Sequence, residues 1–226
     1  MSHWTRENLD RLTREYLGDD DGSAQSKKRA RILGAATRLF MERGYKKTSI
    51  DEVARAAKVA KGTVYLYYPS KADLLVHAIA LEKTVLSARL QPLLDGTVPP
   101  TDRLRVYLET IFASVADLPL VTRLMGQDGE LLDALSELDP KTFEQQRALG
   151  RAWVAELIEL AAPGRFTAAE RDARAEIVIA VQFFSVQLLS PQARGTMALD
   201  QYRPLLAEVL ATGLAPTSIT PTKKKR

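Results

Sequence analysis

The sequence predicts an all-α protein: a three-helix head near the N-terminus, then a bundle of longer helices. Three observations carry this. Apolar residues recur at three- and four-residue spacings along most of the chain, the period of one helix face. Hydroxyl residues followed three positions later by a carboxylate mark helix starts at Thr48–Asp51, Ser70–Asp73 and Thr167–Glu170. No stretch alternates apolar and polar residues between hairpin turns, so strands have no candidate.

In chain order, residues 4–17 carry Trp4, Leu9, Leu12 and Tyr16 ahead of Asp19, Asp20, Asp21 and Gly22; they form a short amphipathic helix or a disordered arm. The first helix of the head begins near Ser26 and runs to Arg43, burying Ile32, Ala36, Leu39 and Phe40. Gly44 follows, where a left-handed residue ends a helix. A second helix opens after Thr48, capped by its hydroxyl together with Asp51, and turns Ile50, Val53, Ala54 and Ala57 inward. A third covers Lys61 to Tyr67 and stops before Pro69, because the residue preceding proline avoids the helical region. Ser70 with Asp73 opens a fourth, extending to about Leu94.

Gly96, Pro99 and Pro100 mark a loop, after which Thr101 caps a helix to about Leu118. Pro119 starts a short helix ending near Gly126; Glu130 to Leu138 and Lys141 to Ala162 form two more. Thr167 and Glu170 open a helix to about Leu189, and the last covers about Leu199 to Leu214 with Pro204 in its first turn. The chain thus divides into an arm (1–25), the head (26–72), the bundle (73–214) and a basic disordered tail (215–226).

Charge is unevenly distributed. Residues 27–71 hold twelve Lys or Arg against Glu42, Asp51 and Glu52, a net of +9, whereas residues 72–222 hold 13 basic and 19 acidic side chains. A compact basic block on an acidic body is the footprint of a polyanion-binding module. Cysteine is absent, which excludes disulfides and thiolate metal sites and fits a reducing cytoplasm. The segment MSHWTRENLDRLTREYL lacks the apolar core of a signal peptide. The longest near-apolar run, Ile177 to Leu189, is 13 residues, short of the roughly 20 that a membrane span requires. His3 and His77 are the only histidines, and no HExxH, GxSxG, GxGxxG or Walker A pattern supports an enzyme; no metal or cofactor is expected.

Inside the basic block, residues 48–75 read TSIDEVARAAKVAKGTVYLYYPSKADLL: two short helices joined by a tight turn, the second basic, hydroxyl-rich and aromatic. Such a pair is a helix-turn-helix, whose second helix enters the DNA major groove. Ala54 and Ala57 let the helices approach closely, while Val59 and Val64 fill the space between them. Gly62, without a side chain, lets the backbone come close to DNA. Lys61 can donate to guanine O6 or N7, and the Thr63 methyl can touch a thymine methyl. Lys71, at a helix start, and Thr48, beside free N–H groups, suit phosphates. Tyr68 falls with Val64 on the inner face and is expected in the core; Tyr65 and Tyr67 fall on the outer side and are expected on DNA.

The pattern Thr48, Ile50, Val53-Ala54, Ala57, Val59, Gly62-Thr63-Val64-Tyr65, Tyr67-Tyr68, Lys71 and Leu74 resembles the DNA-binding domain of the tetracycline-repressor (TetR) family, over about residues 28–75. Beyond it the resemblance is one of length and helical character. It implies phosphate contacts from Thr48, Tyr67 and Lys71, and a groove side formed by Lys61, Gly62, Thr63 and Tyr65. Two residues depart from the pattern. Lys58 stands where a turn glycine is usual, so either the turn is not left-handed or it costs roughly 1 kcal/mol. Ala60 replaces a serine cap and forfeits about 1 kcal/mol. Both suggest a reading helix that gains order on binding.

The helix from Thr167 is apolar nearly all round from Ala175 onward, so one side needs a partner. Ile177, Val181, Phe184 and Leu188, with Leu206, Val209 and Leu210 of the last helix, are the expected homodimer interface, as the resemblance also implies. Two reading helices related by a two-fold axis predict a near-palindromic operator in double-stranded DNA. A small-molecule effector pocket is expected in the middle of the chain, with Tyr107, Phe112, Met125, Trp153 and Phe183 as candidate lining. The competing expectation is a helical ligand-binding or adaptor protein without sequence-specific DNA binding.

Overall fold

The computed structural model describes residues 21–136 and 140–216, and among these every regular element is helical. The head contains α1 (Ala24–Arg43), α2 (Ile50–Ala56) and α3 (Lys61–Tyr67), followed by α4 (Lys71–Arg89). After two 3₁₀ turns come α5 (Arg103–Ser114), α6 (Pro119–Met125), α7 (Gly129–Ser136) and α8 (Pro140–Ala161). The last are α9 (Ala168–Phe183), α10 (Ser185–Leu188), α11 (Pro191–Arg194) and α12 (Leu199–Leu214). The expected helix at 4–17, the helix end at Leu138 and the KKKR tail lie outside the described residues.

Local chemistry explains most boundaries. Ser23 caps α1 by accepting from Ser26 N–H, and Gly44 ends it with φ 88°. The Thr167–Glu170 box opens α9 as expected, and Ser70 Oγ accepts from Asp73 N–H at 3.0 Å before α4. Three helices stop earlier than the periodicity suggests. α4 ends at Arg89 rather than Leu94, because Pro92 has no N–H and its ring would crowd the carbonyl four residues back. The helix from Thr101 tightens into a 3₁₀ turn at Val115–Asp117, where the Val115 carbonyl accepts from the Thr122 hydroxyl. The apolar helix expected to run to Leu189 breaks at Phe184, and a separate short helix covers Ser185–Leu188.

Two compact units result, and their boundary differs from the division at 72/73 that composition suggests. The first joins the head and α4 up to Ala88 with residues 115–144. Its core runs from Ile32, Ala36 and Phe40 through Val53, Val64 and Tyr68 to Leu74, Leu75, Leu120 and Leu131. Each of the Val, Leu, Ile and Phe side chains contributes about 1.5–3 kcal/mol of burial. Polar ties reinforce it: Arg123 donates to Asp128 and to the Phe40 carbonyl at the end of α1, and Glu130 accepts from Lys46 N–H. Sequence spacing cannot disclose this inclusion, because Arg123 and Phe40, like Glu130 and Lys46, lie more than 80 residues apart.

The second unit comprises residues 89–114 and 145–216 of the described chain. Leu104, Leu108 and Phe112 of α5, Val154, Leu157 and Ile158 of α8, Ala175 and Val178 of α9 and Ala207 of α12 are buried. Glu176 of α9 pairs with Arg147 (2.6 Å) and Arg151 (3.2 Å) of α8.

Candidate nucleic-acid interface

The loop between α1 and α2 decides what Thr48 can do. Its side chain is 1% exposed, and its hydroxyl donates to the carbonyls of Gly44 (2.8 Å) and Leu39 (3.2 Å). It therefore satisfies orphan carbonyls at the C-terminal end of α1 and is not free for a phosphate. The cap of α2 falls one residue later. Ser49 Oγ accepts from Glu52 N–H, and Glu52 Oε2 accepts from Ser49 N–H at 2.8 Å. These bonds from Ser49, with Arg43 2.8 Å away, hold the Glu52 carboxyl below its ordinary range. Both hydroxyls of the run TSIDE have an acid three positions on, so the pattern fits two registers; burial of Thr48 selects the second.

The turn is left-handed at Lys58, with φ 55°. Val59 N–H donates to the Ala54 carbonyl (3.0 Å) and Lys58 N–H to that of Arg55 (3.1 Å), a Schellman closure normally built on glycine. At the start of α3, Ala60 offers no side-chain cap. Both departures noted in the sequence are thus real features of the turn.

α3 spans Lys61–Tyr67, as the sequence predicts. Val64 and Tyr68, one turn apart, are fully buried. The Tyr68 ring meets His77 edge-on at 5.0 Å, and its hydroxyl donates to the Arg29 carbonyl at 3.5 Å; Tyr68 is core, as expected. At 100° per residue the opposite ridge is Gly62 and Leu66, flanked by Thr63 and Tyr65. A methyl group added at Gly62 would touch nothing within 4 Å, so no internal packing requires glycine there. Tyr65 is exposed and Tyr67 half-buried against the head core. Lys61 is exposed and lies 2.8 Å from Asp51 of α2, whose carboxylate raises the pKa of the Lys61 ammonium. Lys71 Nζ sits 4.2 Å from the Tyr45 ring centroid at the start of α4.

Six of the seven expected DNA residues therefore lie on α3 or at the adjoining start of α4, and Thr48 does not join them. Leu66 was absent from the expected set although it is 79% exposed on the outward ridge. Its place two residues from Val64 and one turn after Gly62 is the signal that points to it.

In the second unit, Tyr107 is buried and its hydroxyl accepts from Gln182 Nε2 at 2.6 Å; burial pushes the phenol up to about 12. Phe112 is enclosed core, while Trp153 and Phe183 keep some exposure. Met125 belongs to the first unit, where it packs against the head core, so these residues do not share one compact unit. A recess of about 510 Å³ is lined by Arg105, Glu109, Gln201, Pro204, Leu205 and Glu208, and by none of the five expected lining residues. Among the described residues no helix is long and apolar enough to cross a membrane.

Residues 32–78 match the family described as "Bacterial regulatory proteins, tetR family". The HTH-type transcriptional repressor KstR of Rhodococcus jostii (strain RHA1) is 32% identical over 170 residues, covering 63% of this chain and 77% of that protein. KstR of Mycobacterium tuberculosis (strain ATCC 25618 / H37Rv) is 33% identical over 130 residues, 57% of this chain and 58% of its own length. A transcriptional regulator of the TetR/AcrR family from Thermobifida fusca has the same fold, with a TM-score of 0.59 at 20% identity, over 81% of this chain and 96% of that one.

Proposed function

Because the chain belongs to the tetR family of bacterial regulatory proteins, we propose that it is a dimeric transcriptional repressor that binds a near-palindromic operator and is released by a small molecule. The observation that carries this is α3. A seven-residue helix is locked to the head through Val64 and Tyr68, and it turns Gly62, Tyr65 and Leu66 outward within a segment of net charge +9. The relatives at about one-third identity bear the name of repressors, which supports repression over activation. On this reading the protein is a regulator rather than an enzyme and works in the cytoplasm.

Lys61, Gly62, Thr63, Tyr65, Tyr67 and Lys71 are the proposed DNA contacts. Lys61 exchanges its exposed pairing with Asp51 for DNA at little expense, since such surface pairs contribute about 0–1 kcal/mol. Dimerisation through α9, α10 and α12 is supported by the exposure of Ile177, Phe184 and Val209, and by the incomplete burial of Val181, Leu188, Leu206 and Leu210. Effector binding is assigned to the second unit, near the buried Tyr107 and its hydrogen bond from Gln182. A ligand there weakens DNA binding only to the extent that it prefers the released state.

A mobility-shift series over salt tests the reading. Each phosphate contact contributes about −0.9 to the log–log slope, so a steeply negative slope is expected. A slope near zero, or no complex at low salt, would instead favour a helical adaptor without DNA binding.

A further inference from the structure

The outward ridge of α3 carries one side chain that the hydrogen-bonding chemistry of DNA does not use. Leu66 is 79% exposed, more than any other large apolar side chain among the described residues, and stands directly opposite the Val64–Tyr68 face that anchors the helix. One turn earlier the ridge is bare at Gly62, where a methyl group would meet nothing within 4 Å. Leu66 is therefore the side chain that projects from the centre of the ridge. Its neighbours toward the groove, Thr63 and Tyr65, both carry hydroxyls, and Lys61 lies at the helix start. A leucine has no donor, acceptor or charge, so it can hold neither a phosphate nor a base edge by hydrogen bonding. The apolar feature that a major groove offers is the thymine C5-methyl group.

We propose that Leu66 reads sequence by packing its isobutyl group on a thymine methyl in each operator half-site, making that thymine a required base. The proposal rests on the DNA-binding reading above and adds to it a residue and the base it selects. The bare ridge at Gly62 lets α3 sit deep enough for a side chain of leucine length to reach the groove floor. Thr63 and Tyr65 then serve neighbouring base edges or phosphates, and the apolar knob between them discriminates the one base pair that presents a methyl group.

The experiment uses the full chain. An operator is first selected from random duplexes, and each of its thymines is then replaced singly by deoxyuridine, which deletes the C5-methyl and nothing else. For the wild type, one position per half-site is expected to lose affinity about three- to fourfold, the equivalent of one buried methyl group. Leu66→Ala, which changes an exposed side chain and should melt like the wild type, is expected to lose less than about 1.5-fold at that position while keeping its response elsewhere. Leu66→Met, which keeps an apolar side chain, should retain the thymine preference. If the wild type selects an operator but no deoxyuridine position distinguishes it from Leu66→Ala, the Leu66 assignment is overturned and the DNA-binding reading stands. If selection enriches no sequence at all, both fall.

Discussion

Glu82 is a buried carboxylate that caps a helix from a distance, and removing it gives a loss that can be worked from the geometry. The residue lies on α4 and is 7% exposed. Its Oε2 accepts from Leu120 N–H (2.9 Å) and Val121 N–H (3.0 Å), and its Oε1 lies 3.0 Å from the same Leu120 nitrogen. These are the second and third residues of α6; Pro119, the first, has no N–H, and Leu118 supplies no side-chain cap. Glu82→Ala therefore orphans two buried donors, each costing about 1–3 kcal/mol, offset in part by relief of the buried charge. A net loss of about 3 kcal/mol, at about 2–4 °C per kcal/mol for a chain of this size, lowers the melting temperature by about 6–12 °C. Thermal unfolding followed by circular dichroism reads it directly; a drop under about 2 °C would refute the capping role.

The same residue fixes a pH dependence. Burial pushes the Glu82 carboxyl above its ordinary value, outweighing the two N–H bonds that lower it. A carboxyl whose folded pKa exceeds its unfolded one favours folding most below the unfolded pKa, and that contribution fades as pH rises through the folded value. The stability of the wild type relative to Glu82→Gln should accordingly be greatest near and below pH 4.5, the ordinary glutamate value, and fall to a plateau above the raised one. A difference that grows with pH across this window would mean that hydrogen bonding, not burial, governs Glu82.

Further outcomes concern the turn and the dimer. Lys58→Gly removes a left-handed lysine at φ 55°; after the entropy that glycine adds to the unfolded chain, urea midpoints should show a gain of about 0.5 kcal/mol. Ala60→Ser restores a cap to α3 and should add about 1 kcal/mol. It should also raise hydrogen-exchange protection of α3 in the free protein, whereas equal wild-type protection with and without operator would count against ordering on binding. Val209 is 61% exposed on α12, so Val209→Asp should leave the monomer's fold intact yet yield monomers in sedimentation at micromolar concentration. A persisting dimer would move the interface elsewhere.

The bounds of α3 were legible in the sequence because Pro69 and the aromatic run are local signals, and the Thr167–Glu170 cap because no second hydroxyl competes with it. Thr48 and Ser49 were not separable: both satisfy the same spacing, and only the packing of α1 against the loop buries one of them. Leu66 escaped because an isolated leucine reads by default as core, and its exposure depends on which face of a seven-residue helix Val64 and Tyr68 anchor. Met125 has helical spacing compatible with a ligand wall, yet tertiary packing assigns it to the head.

By itself, then, the sequence determined the helical class, the helix-turn-helix and its basic setting, all of which follow from periodicity, charge and residues close together in the chain; that the turn is left-handed at Lys58 came from the structure. Tertiary structure decided the allocation of side chains: Thr48 inward, Leu66 outward, Glu82 as cap to a helix 38 residues away, and residues 115–144 joined to the head. The physical reason is range. Caps and helix faces depend on neighbours within a turn or two, whereas burial of a hydroxyl or the pairing of a carboxylate depends on partners that only the folded chain brings together.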